Sequence, residues 1–466
     1  MKDKRIDELI NILKTTTDED TRRRAAQGLG QIGTGNETAI LALVKFLETT
    51  THFYILNPAA ESLGKIGKGN ETAISALVKL LETSTDVGPR IGAAQGLGKI
   101  GQGNETAISA LVKLLETSTD EFTRILAAES LGKIGKDNET AISALVKLLE
   151  TSTDEDTRKR AAQGLGEIGK GNETAILALV KFLETTTHFY ILNPAAESLG
   201  KIGQGNETAI SALVKLLETS TDVGPRIGAA QGLVQIGKDN ETAISALVKL
   251  LETSTNEFTR KRAAESLGKI GKGNETAISA LVNLLKTPTD KSTRSQAVKS
   301  LGQIGKDNKT AISALVNLLE ITTDEDIRIL AAQSLGQIGK DNETAISALV
   351  NLLETSTDES TRRQAAESLG QIGKDNETAI SALVKLLETT TDEFTRIQAA
   401  KSLNQIGKDN ETAISALVNL LETTTDESTR ILAAESLGQI AKDNETAISA
   451  LVNLLETTTD ESTRIL

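Results

Sequence analysis

Three stretches of the chain carry the glycine spacing of a loop that could cradle the phosphates of a dinucleotide. The pattern Gly-x-Gly-x-x-Gly begins at Gly28, Gly96 and Gly164. Such a loop needs a strand before the glycines and a helix after them, so that a helix N-terminus faces the pyrophosphate. Here the glycines close a helical pattern, which would turn the negative end of the helix toward a phosphate. The sequence therefore predicts helix ends and no nucleotide site.

A near match to a second phosphate motif, the P-loop, spans Gly164–Gly171. Its last position is Gly171, where a P-loop needs Ser or Thr to ligate magnesium, and no strand pattern precedes it. Acidic residues are numerous, but they recur periodically at hydrophilic positions, which indicates solvated faces and not a general acid–base pair. We therefore predict no catalytic residue and no cofactor, and we expect that the protein is not an enzyme.

The acceptor pattern for N-glycosylation, Asn-x-Thr, occurs thirteen times, first at Asn36 and last at Asn444. Consecutive occurrences are 34 residues apart, as Asn36 and Asn70 are. A fixed period of about 20–50 residues indicates stacked supersecondary units. The charged start Met1–Arg5 is not a signal peptide, so glycosylation is not favoured. Each asparagine instead suits a helix N-cap, with an acidic residue in the first turn facing the positive helix end.

One repeat, residues 104–137, shows the pattern of two helices. Its first half has apolar residues at spacings of three, four and seven, which is typical of a helix buried on more than one side. A polar turn follows, and a second helix begins near Asp120 with Ala127 and Ala128 on one face. Gly135 ends it in the manner of a glycine C-cap. Each repeat is thus predicted to be helix A, turn, helix B, turn.

The helix B pattern from Asp120 to Gly135 is Asp-Glu-x-Thr-Arg-x-x-Ala-Ala-x-Ser-Leu-Gly-x-Ile-Gly. It resembles the short HEAT-like repeat of bacteria, notably the cyanobacterial form of phycobilisome-lyase-type HEAT repeats. It is also similar to the repeat arrays found behind NACHT-type NTPases. The resemblance covers the whole chain, and it implies an all-α fold, a right-handed α-solenoid of about fourteen 34-residue helix-turn-helix repeats.

The resemblance also implies where the helices lie. In HEAT arrays, A helices generally line the convex side and B helices the concave side. By that analogy Arg124 and its equivalents pair with the aspartate that starts the same helix, here Asp120. We interpret residues 1–466 as a single array, in which the more charged helix at 1–15 caps the first repeat and the last repeat is truncated at residue 466.

The two histidines, His52 and His188, stand in matching clusters that each contain Phe and Tyr and a proline, Pro58 or Pro194. The clusters lie four repeats apart and the chain has no cysteine, so no metal site is expected. One interpretation is a ligand or partner site. The other, which we favour, is a proline-started helix that begins later, with its aromatic rings filling the seam between repeats.

The net charge of −13 argues against nucleic acid as a partner, because phosphate binding needs a basic surface. It also disfavours an anionic membrane surface. No apolar run approaches the roughly 18 residues that span a bilayer. We expect a cytoplasmic protein whose partner is another protein.

Variation between repeats concentrates at helix B positions spaced four, three and four residues apart, which share one face. By the HEAT analogy that face is concave and exposed. We interpret it as a recognition surface with aromatic anchors among polar contacts; the alternative is drift on a solvated face after duplication. The candidate partner-binding residues are Tyr54, Phe122, Tyr190, Phe258, Phe394, Glu129, Glu265, Lys299 and Lys401.

The predicted function is that of a protein–protein interaction scaffold or sensor array within a larger protein. One alternative is a phycobilin lyase-like protein that handles a chromophore. Few tryptophan, tyrosine and histidine residues are present to line a tetrapyrrole pocket, which speaks against it. Another alternative is a self-assembling module, because near-identical repeats could stack end to end.

Overall fold

A computed structural model describes residues 2–50, 52–442 and 444–457. All regular secondary structure in these residues is helical, in 27 helices, which confirms the predicted all-α solenoid of helix-turn-helix repeats. The helices belong to two compact units, Met1–Gly237 and Lys238–Leu466. The truncated helix B predicted at the end of the chain lies outside the described residues.

In the first unit, A helices have odd numbers and B helices have even numbers. From α3 onward each A helix of this unit has 13 residues, and each B helix has 14. Successive A helices pack side by side, as do successive B helices, so the repeats form two layers. The helices are α1 Lys2–Thr15, α2 Glu19–Ile32, α3 Glu37–Thr49, α4 Phe53–Ile66, α5 Glu71–Thr83, α6 Val87–Ile100, α7 Glu105–Thr117, α8 Glu121–Ile134, α9 Glu139–Thr151, α10 Glu155–Ile168, α11 Glu173–Thr185, α12 Phe189–Ile202, α13 Glu207–Thr219 and α14 Val223–Ile236.

The second unit has the same alternation with one shortened helix. α17 has 12 residues and ends at Lys286, because Pro288 disfavours a helical backbone at the residue before it. The helices are α15 Glu241–Thr253, α16 Glu257–Ile270, α17 Glu275–Lys286, α18 Lys291–Ile304, α19 Lys309–Ile321, α20 Glu325–Ile338, α21 Glu343–Thr355, α22 Glu359–Ile372, α23 Glu377–Thr389, α24 Glu393–Ile406, α25 Glu411–Thr423, α26 Glu427–Ile440 and α27 Glu445–Thr457.

An asparagine cap and an apolar stripe define each A helix. In α7 the side-chain carbonyl of Asn104 accepts a hydrogen bond from the N–H of Ala107 at 3.0 Å, which satisfies a donor of the first turn. The amide of Asn104 also donates to Glu71 of the preceding repeat at 3.1 Å. Leu111 and Leu114 are buried against the neighbouring helices. The Asn-x-Thr motif is therefore a helix cap, as predicted.

An aspartate cap and a pair of alanines define most B helices. In α8 the carboxylate of Asp120 accepts hydrogen bonds from the N–H and the hydroxyl of Thr123, at 2.8 Å and 2.6 Å. Ala127, Ala128 and Leu131 are fully buried where α8 meets its neighbours. Small side chains on this face let adjacent B helices approach closely, and the apolar area that they bury stabilises the stack.

The turn from helix B to helix A depends on two residues with different roles. Gly135 caps α8 with φ −90° and ψ 25°, which is not a left-handed conformation. It is needed because a Cβ there would lie 2.6 Å from the Cβ of Ala141. The left-handed residue is Asp137, with φ 59°, and its N–H donates to the carbonyl of Ile168 at the end of the next B helix, at 3.3 Å. The turn of one repeat thus caps the helix of the next.

The first two glycines of each nucleotide-like motif lie within a B helix, where they permit close packing, and the third glycine is the C-cap of that helix. A Cβ on Gly30 would lie 2.6 Å from the hydroxyl oxygen of Ser62 in α4, and a Cβ on Gly64 would lie 2.5 Å from the Cα of Gly96 in α6. The motif that begins at Gly28 occupies the last turns of α2, as predicted. Its glycines therefore serve helix–helix packing.

The predicted pairing of Arg124 with Asp120 is wrong. The guanidinium of Arg124 pairs with Glu121, three residues earlier, at 2.8 Å, while Asp120 caps the helix. In α2 the equivalent Arg22 instead stacks over the ring of Phe46 at 4.6 Å. At the equivalent position of α16, Arg260 pairs with Asp290, the cap of the next B helix, at 3.3 Å, so the partner of this arginine differs between repeats.

The two histidine-containing helices begin at the same repeat position as the other B helices, so the prediction of a later start is wrong. Pro58 lies inside α4, and His52 is an N-cap without a side-chain capping bond. The Nε2 atom of His52 lies 2.6 Å from Glu19 of α2, and the Nδ1 atom of His188, the N-cap of α12, lies 2.6 Å from Glu155 of α10. Phe53 is 60% exposed, so its ring does not fill the seam between repeats.

Candidate protein-binding surface

The five predicted aromatic residues stand at the second position of B helices, and their side chains face solvent. We call this set the aromatic row. The exposed fractions are 56% for Tyr54, 58% for Phe122 and 51% for Tyr190 in the first unit, and 49% for Phe258 and 65% for Phe394 in the second. About half or more of each residue is therefore available to a partner.

The local structure of helix B explains this exposure. In α8 the cap Asp120 precedes the helix. Thr123 is buried beneath this cap, and its hydroxyl donates a hydrogen bond to the carboxylate of Asp120. The helical rotation that turns Thr123 inward turns Phe122 outward. Because the capping bonds fix the backbone of this turn, the ring is presented from a rigid support.

Cationic side chains cover three rings of the aromatic row from the preceding B helix. The guanidinium carbon of Arg23 lies 5.3 Å from the ring centroid of Tyr54, and that of Arg363 lies 5.8 Å from that of Phe394. The ammonium group of Lys159 lies 3.8 Å from the ring centroid of Tyr190 and donates a hydrogen bond of 2.6 Å to the hydroxyl of that tyrosine. The same interval in sequence separates each cation from its ring. A cation held over an aromatic face attracts the ring and restricts its rotamers.

Sequence reasoning missed these cations, because the fifth residue of helix B was not among the positions singled out. The recurring interval between a basic and an aromatic residue, as from Lys159 to Tyr190, could have revealed them. Phe258 has a different arrangement, because Arg262 of its own helix lies 5.3 Å from its ring centroid. The ring and the cation are then one turn apart on a single helix.

The two glutamates of the predicted surface are engaged in ion pairs. Glu129 pairs with Lys133 at 2.8 Å and with Arg160 of the next B helix at 3.7 Å. The hydrogen bond from Lys133, assisted by its charge, holds the pKa of Glu129 below its ordinary value. Burial alone would raise the pKa of Glu265, but hydrogen bonds from Lys269 and Arg262 outweigh it and lower that pKa. Both carboxylates are therefore ionised at neutral pH.

Lys299 and Lys401 occupy the same helix position as the two glutamates, in α18 and α24, and both are exposed. The charge at this position thus changes sign from one repeat to another. The expectation that the whole face is exposed is wrong at some positions. Between the aromatic and the glutamate, Leu126 is 8% exposed and Gly92 is buried, whereas Arg24 at the same position of α2 is exposed. Exposed and buried residues therefore both occur at this position of the surface.

A cleft of about 570 Å³ lies on this surface in the first unit, between helices α8, α10 and α12. Glu129, Glu167 and Glu197 line it together with Lys133 and Arg160. The lining is therefore polar and carries both signs of charge, which suits a polar segment of a partner better than an apolar ligand.

In the part of the chain that the structure describes, no group of three or more His, Asp or Glu side chains is placed to hold a metal ion. In the same residues, no helix is both long enough and apolar enough to cross a lipid bilayer.

The sequence profile described as HEAT repeats matches the chain in overlapping segments. They cover residues 6–97, 83–166, 142–234, 220–302, 284–369, 312–404, 346–429 and 395–466. The chain belongs to the HEAT-repeat family. No protein of curated function matches it in sequence.

Solved structures with a similar fold include those of Kap121p, Kap95p and importin beta. A Kap121p mutant is 14% identical with a TM-score of 0.62, and the match covers 98% of this chain and 56% of Kap121p. Kap95p in a structure with RanGDP is 13% identical with a TM-score of 0.61, covering 100% of this chain and 71% of Kap95p. Importin beta is 13% identical with a TM-score of 0.55, covering 99% and 70%. At these identities the likeness concerns the fold alone, and the HEAT chain spans little more than half of Kap121p.

Proposed function

We propose that this HEAT-repeat protein is a scaffold that binds a partner protein through the aromatic row. The observation that carries the proposal is the recurrence of a large, half-exposed ring at one helix position in both units. Similar HEAT solenoids support it, because one structure is of Kap121p bound to Nup53p and another is of Kap121p bound to RanGTP.

The energetics of such rings favour binding over neutral drift. Burying the exposed half of a Phe or Tyr side chain contributes about 1 kcal/mol, and aromatic residues are enriched among the contacts that dominate interfaces. Arg23 and Lys159 already hold two of the rings in place. Less side-chain entropy is then lost on binding, which increases the affinity.

The test is a pull-down from a lysate of the source organism with the full chain as bait. The variant Phe122→Ala, Phe258→Ala, Phe394→Ala should lose a partner that the parent retains. A matched control replaces Leu41 and Leu177, two exposed apolar residues of A helices, by the serine that most other repeats carry there. The proposal is overturned if the triple variant retains every partner, or if the control loses the same ones.

The finer predictions from the sequence belong to this proposal as well. The array would be the sensor portion of a larger cytoplasmic, bacterial protein, like the arrays behind NACHT-type NTPases. Fractionation of the source cells tests the location. The chromophore-handling alternative predicts bilin absorbance that stays with the protein through gel filtration after co-incubation.

Self-association is a second candidate, because apolar residues of α27 are exposed. Ile448, Val452 and Leu455 are each about half exposed, whereas Ile414 and Leu421 at equivalent positions of α25 are buried. Light scattering against concentration should show growth in mass that the variant Ile448→Glu, Leu455→Glu abolishes. A mass that stays that of one chain at all concentrations would rule this candidate out.

A further inference from the structure

The A helices carry a regular pattern of acidic residues, and the second unit departs from it at one place. From α3 onward, the first residue of each A helix is glutamate except in α19, where it is Lys309. The twelfth residue is glutamate except in α17, where it is Lys286. The thirteenth residue is threonine except in α19, where it is Ile321; in α17 the equivalent Thr287 follows the end of the helix.

These three departures line a single cleft between α17 and α19, which we call the Lys286 cleft. Its volume is about 500 Å³, and Val282, Leu285 and Leu318 form an apolar floor. Ile321 is 66% exposed at its edge, and Thr310, Ser313 and Asn317 add polar groups to the lining. Three independent substitutions that meet in one place are not what drift at scattered positions would produce.

Elsewhere the replaced glutamates link neighbouring repeats. The first-position Glu37 accepts a hydrogen bond from the amide of Asn70 at 3.0 Å. The twelfth-position Glu354 pairs with Lys385 at 2.8 Å. In the Lys286 cleft, Asn317 stands where the pattern places the lysine partner, and the residue 33 positions after Lys309 is Asn342. Both are neutral, so the repeat pattern supplies no anion for either lysine.

We propose that the Lys286 cleft binds an acidic segment of a partner protein that also carries a large apolar side chain. Its carboxylates meet Lys286 and Lys309, and its apolar side chain packs on Ile321 and Leu318. The polar groups of Thr310, Ser313 and Asn317 hydrogen-bond its backbone. This site is separate from the aromatic row, because it lies between A helices.

Charge and shape favour a protein segment over other anionic partners. The whole chain has a net charge of −13, so a nucleic acid or an anionic membrane would be repelled from most of the surface. A short acidic segment meets the two cations that line the cleft, Lys286 and Lys309. The apolar floor favours a ligand that carries an apolar side chain, which a phosphate group does not have.

The next cleft along the second unit is a natural control. It lies between α19 and α21, has a volume of about 300 Å³ and is lined by Glu320 and Thr355 at the positions of Lys286 and Ile321. The same fold with the usual residues thus provides a smaller cleft, in which the charge of Glu320 is offset by that of Arg328. Returning the Lys286 cleft to the usual residues should therefore leave the fold intact.

The experiment selects a random peptide display library on the full chain and on the variant Lys286→Glu, Lys309→Glu, Ile321→Thr. Peptides enriched on the parent alone should combine Asp or Glu with Leu, Ile or Phe. In fluorescence anisotropy with the best synthetic peptide, the variant should bind at least about tenfold more weakly, because two attractive charges become repulsive. Added salt should weaken the binding to the parent.

The proposal is overturned if no peptide is enriched on the parent, or if the enriched peptides lack acidic residues. It is equally overturned if vesicles of phosphatidylserine bind with the same dependence on the two lysines, or if the enriched peptides match segments of this chain, which would make a second copy the occupant. Circular dichroism of the variant verifies folding. The Phe122→Ala, Phe258→Ala, Phe394→Ala variant should retain peptide binding, so the two proposed sites can fail independently of each other.

Discussion

The hydroxyl of Thr157 donates a hydrogen bond of 2.8 Å to Glu121 of the preceding B helix. Thr157 is fully buried, and Glu121 also accepts a hydrogen bond from Arg124 of its own helix at 2.8 Å. In the second unit Thr361 donates to Glu325 in the same way, at 2.7 Å. One carboxylate thus binds an arginine of its own repeat and a buried hydroxyl of the next, which couples neighbouring repeats.

Replacing Thr361 by valine should lower the free energy of unfolding by about 1–2 kcal/mol, because a buried hydrogen bond to a charged group is lost. The change should appear as a lower urea midpoint. Ile327 occupies the equivalent position in α20 and is buried there, so an apolar side chain fits the site. The hydroxyl of Thr361 is shared between Glu325 and the cap Asp358, at 2.7 Å and 2.8 Å, so an unchanged midpoint for Thr361→Val would mean that neither contact contributes to stability.

Acid should destabilise the protein through its helix caps. The hydroxyl and the N–H of Thr123 donate to Asp120 and lower the pKa of that carboxyl. The pKa values of Asp154, Asp358 and Asp392 are lowered by their threonines in the same way. A folded-state pKa below the unfolded one contributes stability above the ordinary aspartate pKa of about 3.9, and that contribution is lost as the pH falls through the folded value. The urea midpoint should therefore fall steeply below about pH 4.

Asparagine at these caps should flatten this dependence. Asn256 caps α16 naturally and accepts a hydrogen bond from the N–H of Thr259 at 2.9 Å, so the amide preserves the cap without titrating. The variant Asp120→Asn, Asp154→Asn, Asp358→Asn should lose less stability between about pH 7 and about pH 3 than the parent. An equally steep loss would show that other carboxylates control the acid response. Glu393 shifts in the opposite direction to the capping aspartates, because the charge of Asp426 raises the pKa of Glu393.

The helices could be predicted from sequence because local rules determine them. Asn104 and Asp120 begin α7 and α8 as caps, and the apolar positions between the caps give the buried faces. The exposure of Phe122 also follows from local structure, because the cap and the buried Thr123 determine which way its neighbour points. A 34-residue period then copies these features along the chain.

Contacts between repeats were not predictable in the same way, because they depend on the displacement of one helix against the next. The stacking of Arg23 on Tyr54 relates residues 31 positions apart, whereas the bond from Asn70 to Glu37 relates residues 33 apart. Neither interval is the repeat length. Arg124 pairs with Glu121 and not with Asp120, because the carboxylate of Asp120 is engaged as the helix cap.

Alanine at two glycines should have opposite effects. A Cβ on Gly64 would lie 2.5 Å from the backbone Cα of Gly96, so Gly64→Ala should force α4 and α6 apart and cost about 1–3 kcal/mol. A Cβ on Gly438, inside α26, meets nothing within 4 Å, so Gly438→Ala should stabilise that helix by about 0.5–1 kcal/mol. Urea denaturation of the two single variants measures both. If the two variants shifted the urea midpoint in the same direction, the close contact between α4 and α6 would not be the reason for glycine at position 64.

The left-handed turn residue gives a comparison at a single site. Gly103 has φ 69°, and a side chain there meets open space, so only the backbone conformation opposes substitution. Gly103→Ala should cost about 1–2 kcal/mol, because a Cβ strains this conformation. Gly103→Asp should cost less, because aspartate tolerates it and Asp137 and Asp307 adopt it at equivalent positions, with φ 59° and 58°. Urea midpoints of the two variants decide the point, since equal losses would mean that the local bonding of aspartate does not relieve the strain.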